Sequence, residues 1–164
     1  MPQHSRIGFR VRKMRLYDVK GTFKAVNGSV EVGLDGVPIA GSLRIDASSV
    51  STRIPPRDWH LRTRDFLAVR NHPEIRVGVD RAERASEELI TVSAVVAIRG
   101  IEARIPLTAQ PHAQQRRPSG GTVVHVAGTL DRHQFGVRPR RPIEWIVGRE
   151  VHLDALLQLA PADR

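Results

Sequence analysis

The sequence predicts an all-β protein of eight or nine antiparallel strands, and three observations carry that expectation. Apolar residues recur at every second position over much of the 164 residues, whereas a helix would repeat them every three to four. The runs are spaced like hairpins, with turn residues such as Asn27-Gly28 and Arg99-Gly100 between them. Strand-like and long helix-like stretches do not alternate, so a parallel sheet with crossover helices is not expected.

The first run places Ile7, Phe9 and Val11 between Arg6, Gly8, Arg10 and Arg12. Val19, Gly21 and Phe23 form the next, followed after Asn27-Gly28 by Val30, Val32 and Leu34. The Asn-Gly pair predicts a hairpin because both residues tolerate positive φ. Leu43 and Ile45 make a shorter piece before an insert, and Ile75, Val77 and Val79 resume the alternation after it. The longest alternation, Ile90-Val92-Ala94-Val96-Ile98, turns at Arg99-Gly100-Ile101 into Ile105-Pro106-Leu107. Gln110 to Gly121 has no period and reads as a loop. Val124-Val126-Gly128-Leu130 and Val151-Leu153-Ala155-Leu157-Leu159 complete the set.

The insert, Arg57-Asp58-Trp59-His60-Leu61-Arg62-Thr63-Arg64-Asp65-Phe66, reads as helix. Pro55-Pro56 end the extended segment and open the helix, and Asp58 in the first turn suits the helix dipole. Thr63 is placed to cap a second short turn toward Phe66 and Leu67. His72-Pro73 returns the chain to an extended form. Strand connections are normally short, so one this long, with Trp and Phe among charges, reads as a segment that closes or lines something.

Antiparallel strands with one apolar face must pack sheet on sheet or close on themselves. An eight-stranded barrel has room for side chains or for one small ligand. Here the inward sets are mostly Val, Ile and Ala, with seven aromatics in the whole chain, which leaves volume for a cavity. The length suits one domain, read as residues 4–160, with a single core.

With no Cys, neither a disulfide nor a thiolate zinc site can form. Met1 to Arg6 lacks the apolar segment of a signal peptide, so a cytoplasmic protein is expected. The most apolar stretch, Leu89 to Ile98, falls short of the roughly 20 residues of a membrane helix. The net charge of +9 comes from 23 Arg and 3 Lys against 17 acids. That balance fits nucleic acid or an anionic membrane surface, and equally a compositional bias spread along the chain. Nucleic-acid barrels interleave aromatics with basic residues for stacking, but aromatics are 4 % here and fall mostly on inward positions.

No catalytic signature is present. There is no Gly-x-Ser-x-Gly and no Gly-x-x-x-x-Gly-Lys. The seven histidines lack the spacing of a helical metal pair, and no metal or other cofactor is expected. No acid, base or nucleophile stands at an inward strand position. His60 alone has context, two residues beyond Asp58 and next to Trp59, as a head-group contact or as a hydrogen-bonded support of the insert.

These motifs, in their order, resemble the YceI-like polyisoprenoid-binding family. Arg57-Asp58-x-His60-Leu61, Asp65-Phe66 and Pro73-Glu74-Ile75 match its insert. The match extends through His4-Ser5-x-Ile7-x-Phe9, Gly21-x-Phe23, Gly28-x-Val30 and Asp46-Ala47-Ser48-Ser49-Val50-x-Thr52. Further on, Ile98-Arg99-Gly100 and Arg132-x-x-Phe135-Gly136 also fit. Leu67 and Val77 stand where the family usually has Phe.

The resemblance implies an eight-stranded antiparallel lipocalin-like barrel with a short helical insert near its mouth. It also implies a binding role rather than catalysis, with an isoprenoid lipid of quinone or polyprenyl phosphate type in the bore, and self-association as a homodimer. The bore residues expected from alternation are Phe9, Val11, Phe23, Ile45, Ile75, Val77, Val92, Ala94, Val96 and Val126, with Phe66 added by the insert. Arg57, Asp58 and His60 are the rim candidates. A basic barrel for nucleic acid or an anionic surface, and an enzyme on a small apolar substrate, are the competing classes.

Overall fold

In the computed structural model, which describes residues 5–13, 17–112, 121–139 and 147–160, eight strands close into one antiparallel barrel. In order they are β1 (Arg6–Lys13), β2 (Tyr17–Val32), β3 (Pro38–Ser51), β4 (Glu74–Arg84), β5 (Ile90–Ile98), β6 (Ile101–His112), β7 (Thr122–Asp131) and β8 (Val147–Leu159). Each pairs with its sequence neighbours, and β8 returns to β1. Closure leaves no sheet edge to template association. The helix α1 (Pro55–Leu61) sits in the β3–β4 connection, and a 3-10 turn, Arg132–Phe135, follows β7.

Alternation predicts the walls well. On β5, Ile90, Val92, Ala94 and Val96 are all buried, opposite Ala109, Leu107, Ile105 and Ala103 of β6. Directly opposed residues share a face, so both sets point into the barrel. On β8 the inward row Val151, Leu153, Ala155, Leu157 is continuous with Ile7 and Phe9 across the β1–β8 seam. Gly21 lies opposite Phe9, where a Cβ would stand 2.2 Å from the Phe9 ring. The missing side chain is what lets that ring lie across the wall.

Asn27-Gly28 is not a hairpin turn. It lies within the continuous 16-residue β2, at a register shift between Ala25 and Asn27. Before the bulge the odd positions face inward, since Phe23 opposes Ile7. After it the even positions do, since Gly28 opposes Leu43 and Val30 opposes Gly41. One extra residue flips the phase of a strand, and that flip imitates two strands joined by a turn. The true turn is Gly33–Val37, where Gly36 has φ 80° and the Val37 N–H bonds to the Asp35 carboxylate. Leu34, read as strand, is at the exposed tip of this turn.

Two other boundaries move. Gln110, Pro111 and His112 continue β6 and pair with His125, Val124 and Val123; most of the remaining predicted loop lies outside the described residues. β3 starts at Pro38, well before Leu43, because Ala40, Gly41 and Ser42 lack apolar alternation yet still pair with β2. The Arg99-Gly100 turn is as expected: both residues have positive φ, 55° and 75°, between paired Ile98 and Ile101.

The outer wall is laced with ion pairs. Arg44 donates to both carboxylate oxygens of Glu74, at 2.5 Å from Nη2 and 3.1 Å from Nε. Those hydrogen bonds hold the Glu74 carboxyl below its ordinary range and raise the Arg44 guanidinium. The hydrogen bond from Arg149, helped by the His133 N–H, similarly lowers Asp131. A carboxylate lowered by folding contributes stability above its ordinary pKa, near 4. That contribution is lost as pH falls through the lower folded value. Thermal melting should therefore be insensitive to these groups from pH 7 to about 5 and fall below about pH 4. Glu74→Gln should flatten part of that acid limb; an unchanged limb would show that the pair adds nothing.

Candidate functional site: an apolar bore closed by a polar insert

The strands enclose a cavity of about 1750 Å³ that runs from the insert to the β2–β3 and β4–β5 turns at the opposite end. It exceeds the roughly 300–1,000 Å³ of drug-sized pockets. Aliphatic side chains form most of its wall, and Phe9 and Phe23 meet in it with ring centroids 5.4 Å apart.

All the expected bore residues line this cavity: Phe9, Val11, Phe23, Ile45, Phe66, Ile75, Val77, Val92, Ala94, Val96 and Val126. So do Arg57 and His60. Asp58 does not. It is 7 % exposed and turned away from the bore. Its Oδ1 accepts from the Thr52 N–H at 2.7 Å and the Thr52 hydroxyl at 2.5 Å. A carboxylate in the first helical turn is well placed to take the loose donors of the segment before it, so Asp58 ties α1 to the end of β3.

The rest of the insert is built on similar ties. The Arg57 Nε donates to the Thr52 hydroxyl at 2.8 Å while its stem borders the cavity. Arg62 donates to the Ser48 and Val50 carbonyls at 2.9 and 3.2 Å. It thereby clamps the bulge at Asp46-Ala47-Ser48-Ser49-Val50, where β3 and β2 lose register. Within that bulge Asp46 accepts from the Ser48 N–H and hydroxyl. Thr63 does not cap the following turn through its hydroxyl, which donates back to the His60 carbonyl; its own carbonyl takes the Phe66 and Ala68 N–H groups instead.

His60 is hydrogen-bonded within the insert. Its Nε2 is 3.0 Å from Asp65 Oδ2 and its ring meets Phe66 edge-on at 5.1 Å, so it supports the insert. It also borders the cavity. Sequence reasoning missed Asp65 as its partner, because no strand period governs the insert. It also missed Leu61 and Leu67, which line the bore near His60 and follow helical rather than alternating spacing. At the other end Arg84 borders the cavity and donates to the Glu87 and Asp35 carbonyls, joining the two turns there. A phase shift between Val79 and Arg81 brings it inward.

Asp58→Ala should cost about 2–4 kcal/mol, because two buried donors on Thr52 lose a charged acceptor. Denaturant unfolding measures this, with faster proteolysis of the insert as a second readout. A loss below about 0.5 kcal/mol would mean that water replaces the carboxylate.

Among the described residues no three His, Asp or Glu side chains converge to hold a metal ion. His125 and His152 face outward, beside Asp154 and Thr129 respectively. No helix is long and apolar enough to cross a membrane.

A closed eight-stranded antiparallel barrel with a continuous apolar bore and a helical insert over one end defines a cavity-bearing β-barrel of lipocalin-like architecture. The model of the YceI-like domain family matches residues 1–159, and the chain belongs to that family. Relatives are distant: a UPF0312 protein of Pseudomonas savastanoi pv. phaseolicola is 22% identical over 158 residues, covering 94% of this chain and 82% of its own. The crystal structure of BcnA from Burkholderia cenocepacia superposes with a TM-score of 0.83 at 14% identity, covering 95% and 96% of the two chains. A polyisoprenoid binding domain from Saccharophagus degradans superposes with a TM-score of 0.63 at 18% identity, covering 97% and 95%.

Proposed function

We propose that the protein binds a long-chain isoprenoid lipid, of quinone or polyprenyl phosphate type, in its bore and acts as a carrier, store or sensor rather than an enzyme. The observation that carries this reading is the length and apolar lining of the cavity. Family membership and the Saccharophagus degradans domain support it. A ligand of about 40 carbons, at ~0.3 kcal/mol per atom, would bind by roughly 12 kcal/mol, a nanomolar value. Aliphatic walls supply such a term without directional chemistry. The head group belongs at the insert end, where Arg57 and His60 border the cavity.

Native mass spectrometry and organic extraction of protein purified from its own host test the reading. A stoichiometric prenyl lipid is the expected result. A barrel that is empty and takes up no isoprenoid from vesicles would overturn it. The nucleic-acid reading has less to rest on, since Phe9, Phe23 and Phe66 are committed to the bore.

A further inference from the structure

Among the described residues, the insert and the two turns at the opposite end differ in charge. Residues 52–73, which cover one end, carry five arginines against two aspartates, and both acids are occupied: Asp58 by Thr52 and Asp65 by His60. At the other end the β2–β3 and β4–β5 turns carry Asp35, Glu87 and Glu88 against Arg84. Several arginines of the wall are paired. On the barrel wall Arg10, Arg44, Arg76, Arg81 and Arg104 each lie within 4 Å of a carboxylate. At the insert end Arg53, Arg64 and Arg70 are exposed, and among the described residues none of them has an acidic partner.

Apolar surface accompanies those cations. Helix α1 turns Arg57, His60 and Leu61 to the cavity, and its opposite face carries Pro55 and Trp59 outward. Trp59 is 69 % exposed and Ile54, just before the helix, 47 %. Arg53 holds that junction in the left-handed region at φ 65°, a conformation costly for a side chain other than Gly. Pro56 is both exposed and part of the cavity wall, so the apolar patch is continuous with the bore. Tryptophan beside arginine is the pairing that suits the headgroup region of a bilayer.

We infer that the insert end is the membrane-docking face: Trp59 and Ile54 enter the headgroup layer of an anionic bilayer while Arg53, Arg64 and Arg70 contact its phosphates. This rests on the lipid-binding reading and adds the direction of loading, through the insert rather than the opposite end. The competing face is the β2–β3 turn with the start of β3, where Leu34 and Ile39 are also exposed but where the two described turns carry Asp35, Glu87 and Glu88, which an anionic surface repels.

Co-sedimentation of the full chain with phosphatidylglycerol-containing vesicles, against pure phosphatidylcholine vesicles, tests the assignment. Binding should require phosphatidylglycerol and be lost in high salt. The combined change R53Q, R64Q and R70Q should weaken it on the order of a hundredfold, at ~1 kcal/mol per basic residue. Trp59→Ala should weaken it about tenfold. Leu34→Ser with Ile39→Ser should leave it unchanged. Loss of binding in the Leu34/Ile39 variant with retention in the arginine variant, or equal binding to both vesicle types, overturns the inference. Isoprenoid supplied in detergent micelles separates the two proposals. The arginine variant should still load from micelles; wild type that docks on vesicles but loads from neither source contradicts the ligand reading alone.

Discussion

Val96→Trp should abolish isoprenoid uptake while leaving the barrel folded. Val96 is 4 % exposed, borders the cavity and faces Val77 on β4 and Ala103 on β6. A Trp here would project into the space that the proposed lipid chain would thread. Overpacking a filled core costs about 1–3 kcal/mol, but the bore offers room that a filled core lacks, and a typical domain has about 5–15 kcal/mol to lose. Lipid extracted after incubation with loaded vesicles should fall to background while far-ultraviolet circular dichroism stays that of wild type. Unchanged uptake by a folded variant would show that no ligand passes Val96.

The largest stability loss is expected at Phe135. Its side chain is fully buried, at 0 % exposure, on the 3-10 turn that leaves β7, and it closes part of the insert end of the cavity. The Asp131 carboxylate caps the turn through the His133 N–H at 2.9 Å. Arg132 fastens it further by donating to the Gly148 and Val137 carbonyls. Phe135→Ala removes a ring from a site whose backbone is held on both sides, so collapse around the hole is limited. The cost should be about 3–5 kcal/mol, or roughly 6–20 °C in Tm for a domain of this size. Calorimetry on lipid-free protein measures it, and Phe135→Leu should lose less. A loss below about 1 kcal/mol would mean that the end relaxes inward and that Phe135 is not its plug.

Legibility followed periodicity. Where one face meets the bore and the other meets water, side chains alternate, and Ile90 to Ile98 or Val151 to Leu159 could be assigned to inner and outer positions directly. At a bulge the period breaks, and local chemistry is then a poor guide. Asn27-Gly28 has the composition of a hairpin turn, yet β2 runs through it because pairing with Arg44 and Leu43 outweighs turn propensity. Asp58 shows the same limit in the insert. Its place beside His60 suggested a rim group, but helical spacing turns residues 57, 60 and 61 to the cavity and leaves 58 against Thr52.

By itself the sequence determined that the chain is all-β, which strand residues form most of its inner face, and that these are mostly small. Those properties reside in residue type and in a period of two, both local. Only the tertiary structure decided that the sheet closes, that the bore is continuous, and that Arg53, Arg64 and Arg70 of the insert have no acidic partner among the described residues. Closure and pairing depend on which distant segments meet. The bulges in β2, β3 and β4 set that register, and each is defined by its partner strand rather than by its own residues.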